Sequence, residues 1–253
     1  MLKYPKIILI YDKYLFFSMS NREKVQKLQM SETFRVGALL AIAGGFLDAY
    51  TYLYRDGVFA NAQTGNIVLF SIHLSQGAWF KAFAAAMPIL AFFLGIIITE
   101  VVKSRHKYEI SKFLHWRHET LLLEIIVLTV ALFIPKGSLN FVVNIMISFV
   151  CSLQVQSFRS IHGHGVASTM CTGNLRSGTE ALCQFISTKN HASRHKFLCY
   201  YGMILSFIFG GVLGAVVTLN SPKFALLLPI VAHICVFLLM MKEDATSDRR
   251  AHV

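Results

Sequence analysis

The sequence predicts an all-α integral membrane protein. It is built as an inverted repeat of two halves, with six spanning helices and two short re-entrant or broken segments that carry Thr-Gly-Asn. Three observations predict this. The 253 residues are 55% hydrophobic and only 15% charged, whereas a soluble domain carries about 25% charged residues. Mean hydropathy is +0.56, and several apolar runs are long enough and poor enough in charge to cross a bilayer. Finally, one polar tripeptide occurs twice, in "NAQTGNIVLF" (61–70) and "STMCTGNLRS" (168–177), each time between apolar stretches.

The chain opens with residues 1–30, outside the repeat. Their apolar patch "KIILIYDKYLFF" is broken by Asp12 and Lys13. It is too short to span and lacks a small-residue cleavage site, so it is not a signal peptide. Met19 and Met30 are alternative starts, and the stretch reads as an overlong translation or as a surface-lying arm.

The first repeat, 31–136, holds four segments. The first, 36–54, contains Asp48 within "GGFLDAYTY". The second, 61–75, carries Gln63, Thr64, Gly65 and Asn66. The third, 80–102, places Ala91, Gly95 and Thr99 four apart. The fourth is 119–135. The second repeat, 137–241, has the same order. Segment 139–158 ends "SLQVQSFR". Segment 166–187 carries Thr172, Gly173 and Asn174. Segment 197–219 spaces Gly202, Ser206, Gly210 and Gly214 by four, and 224–241 completes the half. Residues 242–253 form a tail. Small residues four apart let helices approach closely, so the third and seventh segments are expected to cross at the centre of the pseudo-symmetry.

Charge sets the topology. With eight full spans, the Lys- and Arg-rich loop 103–117 would fall outside, against the positive-inside rule. With the two Thr-Gly-Asn segments re-entrant, six helices span. Nineteen Lys and Arg then lie inside and four outside, with Arg176 inside a membrane segment. Both termini are then cytoplasmic. Three crossings per half invert the second half, a plan common in channels and transporters. The net charge of +11 therefore speaks for orientation, not for nucleic acid.

The candidate site collects the polar residues of these segments. Glycine permits backbone conformations that other residues avoid, and Thr and Asn can cap a half-helix whose start attracts an anion or a dipole. The plain alternative is two kinks that only shape packing. A carboxylate in a bilayer, such as Asp48, is costly and usually functional; with Arg176 it makes an ion pair or serves a proton or substrate site. Gln154 and Gln156, with Arg159, line a polar path or satisfy the broken backbone nearby. Glu180 and Gln184 share one helix face, and Glu124 sits near the start of its segment, within reach of the interface. The substrate site is thus expected among Asp48, Gln63, Thr64, Gly65, Asn66, Gln154, Gln156, Thr172, Gly173, Asn174, Arg176 and Glu180.

Other chemistries find little support. His162 and His164 flank Gly163, but a metal needs a third ligand and none is obvious; the stretch reads as a polar turn. The five cysteines form no Cys-x-x-Cys pair and read as small apolar residues. No P-loop, dinucleotide fingerprint, nucleophile elbow or zinc-protease motif occurs, so neither an enzyme nor a cofactor is expected.

Four stretches, "GGFLDAYTYL", "NAQTGNIV", "LQVQSFR" and "TMCTGNLRSGTE", resemble the YoaK-type bacterial membrane protein family, over about residues 31–241. The resemblance implies a bacterial plasma membrane protein of about six spans and implies no substrate. The expected function is a small-solute transporter or channel, with the bilayer and an unknown solute or ion as partners and a homo-oligomer left open. The alternative is a non-transport membrane stress or partner-binding protein whose polar residues are structural.

Overall fold

The computed structural model describes residues 30–108 and 116–251. The expectation for the N-terminal arm and the middle of the 103–117 loop lie outside them. The eight segments appear as eight α-helices: α1 (Phe34–Tyr54), α2 (Gln63–Ser75), α3 (Trp79–Tyr108), α4 (Trp116–Leu132), α5 (Asn140–Ser157), α6 (Cys171–Thr188), α7 (His191–Asn220) and α8 (Leu227–Ala251). Between α5 and α6 lies a small hairpin, β1 (Ser160–Ile161) and β2 (His164–Gly165). Its turn residues, His162 and Gly163, both take left-handed φ values, 51° and 75°, as a tight two-residue hairpin requires.

Among the described residues, five helical stretches are long and apolar enough to cross a membrane: Phe34–Tyr54, Trp79–His106, Asn140–Ser157, His191–Asn220 and Pro222–Lys242. Length and composition thus qualify five, not six. The helix of the expected sixth span, α4, has 17 described residues and ends at Leu132, ahead of the turn at Pro135 and Gly137. The 13-residue α2 is about 20 Å long, and α6 carries Arg176 and Glu180. Large apolar side chains point outward, among them Phe83, Leu90, Phe93 and Leu94 on α3 and Leu205, Phe209, Val212 and Val216 on α7. Exposed apolar bands of this extent mark surfaces that meet lipid or a partner.

Inside, Phe46, Leu47 and Tyr50 of α1, Leu128 of α4, Val143 and Ile147 of α5 and Ile230 of α8 form the main core. The principal packings are α1 on α7, α3 on α5, α6 on α7, α2 on α3, α4 on α5, α1 on α8 and α4 on α8.

The small-residue ridges do pack, but not on each other. A Cβ at Gly210 would strike the backbone of Ile42, and one at Gly214 would come within 2.7 Å of Phe46 Cα. Conversely, a Cβ at Gly45 of α1 would strike Phe207 of α7. The α7 ridge therefore seats in a matching notch on α1. The α3 ridge meets α5, where a Cβ at Gly95 would strike Ser152. The expected crossing of the third and seventh segments is replaced by these two, because α1 and α5 present the complementary close-approach faces.

At the far end of α1, the buried Arg55 ties the α4–α5 turn down. It donates to Ile134 O (2.7 Å), Pro135 O (3.0 Å), Asn140 Oδ1 (3.0 Å) and Tyr50 Oη (2.9 Å).

Candidate functional site

The two Thr-Gly-Asn copies sit at corresponding places, in the first turns of α2 and α6. Neither glycine has a positive φ. The expectation that Gly65 and Gly173 supply unusual backbone is therefore corrected: both are helical. They are not close-packing glycines either, since a Cβ at either would meet nothing within 4 Å.

The asparagines do not cap. Each reaches back seven residues to the extended lead-in of its own helix. Asn66 Nδ2 donates to Phe59 O (3.3 Å) and to Gln63 Oε1 (3.1 Å). Asn174 Nδ2 donates to Ala167 O (2.6 Å), and its Oδ1 accepts from Ala167 N (3.3 Å). Non-helical backbone away from water needs such partners. The α1 and α5 helices help in the same way. Asp48 Oδ1 accepts from Asn61 N (2.9 Å), while Gln154 Nε2 donates to Ser168 Oγ (2.7 Å) and to Leu40 O (3.1 Å). Gln63 Nε2 bonds Ala60 O (2.8 Å) and Ser148 Oγ (2.7 Å).

These lead-ins bring both helix starts to one cavity of about 560 Å³. Of the expected residues, Asp48, Gln63, Thr64, Thr172, Gly173 and Asn174 line it. Six do not. Gly65 lies off the lining, Asn66 and Gln154 are buried in the bonds just described, and Gln156 donates to Glu100. Glu180 and Arg176 are exposed. Among the described residues no ion pair joins Arg176 to Asp48; the helix turn directs Ser177 into the cavity instead. Asn61, Thr169 and Cys171 also line it and were not anticipated. Helical periodicity could have found Ser177, four residues beyond Gly173. Asn61 and Thr169 are the same distance ahead of their respective tripeptides.

The amides matter most. No side chain caps α2 or α6. In α2 the amides of Gln63, Gly65 and Asn66 bond locally to Asn61 and Ala62, leaving Thr64 N. In α6 the amides of Cys171, Thr172 and Gly173 have no hydrogen-bond partner among the described residues. All four residues line the cavity. A helix start with free amides is an acceptor-binding surface, and here two such starts share one space.

Elsewhere, His162 lies edge-on to His195 and His164 lies tilted to it, with ring centroids 5.3 and 6.2 Å away. No group of three or more His, Cys, Asp or Glu side chains is placed to hold a metal ion among the described residues. Glu124 does not reach the interface; it is fully buried beside His233.

Fold and site together define a helical protein whose outward apolar faces are compatible with a membrane protein, with a cavity bordered by two helix starts. Residues 36–239 match the family described as Protein of unknown function (DUF1275), and the chain belongs to that family, the one that contains YoaK-like proteins. No curated protein and no solved structure matches the chain.

Proposed function

We propose that this chain is a small-solute transporter or channel of the bacterial plasma membrane, of the YoaK type, with the cavity between α2 and α6 as its substrate site. One observation carries the proposal: four uncapped amides, on Thr64, Cys171, Thr172 and Gly173, border a single cavity beside the Asp48 carboxyl. The amides suit a carboxylate, phosphate or carbonyl group, and Asp48 suits a donor at the other end of the solute.

The repeat supports the reading. Exchanging α1 with α5, α2 with α6, α3 with α7 and α4 with α8 turns each principal packing into another. The pair α1–α7 becomes α5–α3, α2–α3 becomes α6–α7, α1–α8 becomes α5–α4, and α4–α8 maps onto itself. The reach of Asn66 to Phe59 has its counterpart in Asn174 to Ala167. Counting α4 as the sixth span, about 25 Å long at 1.5 Å per residue, leaves both termini in the cytoplasm by the charge count. The two Thr-Gly-Asn helices then enter from opposite faces, as in transporters with broken helices.

A second reading, a membrane stress or partner-binding protein, is favoured by the internal bonds of Asn66, Asn174 and Gln154, which serve the fold. Uptake of labelled small anionic and zwitterionic solutes into reconstituted vesicles separates the two. Transport predicts uptake by the wild type that is lost in Gly173→Val, at a position where an added Cβ would meet nothing within 4 Å. A folded wild type that takes up no member of the panel would support the second reading instead.

A further inference from the structure

Glu124 of α4 and His233 of α8 are fully buried, and His233 Nε2 lies 3.2 Å from Glu124 Oε2. The other ring nitrogen, Nδ1, is 2.6 Å from Pro229 O. A carbonyl only accepts, so Nδ1 carries a hydrogen. Nε2 and Oε2 lie close enough to hold one proton between them, although neither atom has a hydrogen-bond partner among the described residues. The proton then resides on Nε2, beside a carboxylate, or on the carboxylic acid, beside Nε2. Both arrangements are neutral overall, and loss of the proton would set two lone pairs against each other in a dry site. The second oxygen, Glu124 Oε1, is likewise buried, so the whole carboxylate lacks a hydrogen-bond partner among the described residues. A pair kept only to hold helices together would be expected to satisfy it.

We infer that Glu124 and His233 form a proton-binding site at the seam between the two halves, holding one exchangeable proton. They lie on the fourth helix of each half, α4 and α8, which pack on each other. In an inverted-repeat transporter the halves rock against one another along such a seam, which makes a proton the coupling ion. That coupling rests on the transport reading; the proton site itself does not.

Other ionisable groups lie on the helices packed around the pair. On α4, His118 is buried edge-on to Phe237 of α8, 5.4 Å between ring centroids. On α5, the buried Cys151 thiol lies within electrostatic reach of Glu124 and of Asp48 on α1. From α3, His106 meets Glu119 (3.3 Å) and Lys103 lies over Trp116 (5.9 Å), both at the start of α4. The ionisable side chain in contact with Glu124 is His233.

The test is a pH titration of the full chain in lipid vesicles by infrared difference spectroscopy in H₂O and D₂O, with ¹⁵N-histidine resonances followed in parallel. The expected result is a protonated-carboxyl band that is absent from Glu124→Gln, shifts on transfer to D₂O, and titrates together with His233. A pair that neither exchanges nor titrates, or a His233 doubly protonated at every pH beside a permanent carboxylate, would overturn the site. Should Glu124→Gln not fold, the wild-type titration and His233→Gln decide. Failure of solute uptake would remove the coupling role and leave this titration standing.

Discussion

Replacing Gly173 with alanine separates a glycine needed by the fold from one needed by a ligand. Gly173 is in the first turn of α6 with ordinary helical φ, and a Cβ there would meet nothing within 4 Å. Alanine loses less backbone entropy than glycine on entering a helix, so the variant should gain roughly 0.5–1 kcal/mol. For a chain of this size that is a rise in Tm of about 1–4 °C. The same change at Gly210 should have the opposite sign, since its Cβ would fall 2.7 Å from Ile42 Cα and cost about 1–3 kcal/mol by overpacking. Thermal unfolding of both variants in one detergent reads the contrast, and vesicle uptake reads function. The reasoning predicts that Gly173→Ala is at least as stable as the wild type while its added methyl narrows the approach to the α6 amides and lowers uptake. A Gly173→Ala protein destabilised as much as Gly210→Ala would refute it, because the fold itself would then require the glycine.

Asn174→Ala removes both bonds to the part-buried backbone of Ala167, so it should cost about 1–3 kcal/mol for the two bonds, read as a lower unfolding temperature. In a cysteine-free background, Lys136→Cys should react with an impermeant thiol reagent from outside and Ser104→Cys only after the cytoplasmic face is opened; the reverse pattern would sink the six-span topology. His164 is held below the usual histidine range, first by burial and then by the charges of Lys196, His195 and His162. Its stabilising contribution is therefore present above the ordinary value of 6.5 and is lost as pH falls below it, because the unfolded state takes up the proton first. His164→Gln should flatten the fall in Tm across that acid range.

Much of this architecture is legible in the residues, for identifiable reasons. The eight helices are bounded by chemistry that stops helices or leaves the bilayer, such as Arg55-Asp56-Gly57, Pro135-Lys136-Gly137 and Ser221-Pro222. Repetition marked the helix starts, and so Thr64, Thr172, Gly173 and Asn174 were found. Charge drew attention to Arg176, yet about 100° of helix rotation per residue turns Arg176 outward and Ser177 inward. The roles within the tripeptide were harder to see. The asparagine contacts are made to backbone seven residues earlier, which depends on the path of the lead-in and leaves no pattern in composition. Spacing shows that a helix has a small-residue face but not what packs against it, so the partners of Gly95 and Gly210 required the fold. Glu124 and His233 look like isolated polar residues until α4 and α8 are packed together.

The central claim, that the two Thr-Gly-Asn helix starts share one cavity, is tested most directly by bridging them. Cys171 already lines that cavity. In a variant that keeps it, replaces Cys151, Cys183, Cys199 and Cys235, and carries Thr64→Cys, a short water-soluble bifunctional thiol reagent should link the two helices within one chain. Proteolysis between α2 and α6 should then leave the fragments joined. Both thiols should also be protected from a monofunctional reagent by any solute that the vesicles take up. Thiols that react separately and never bridge, or that no aqueous reagent reaches, would contradict the account.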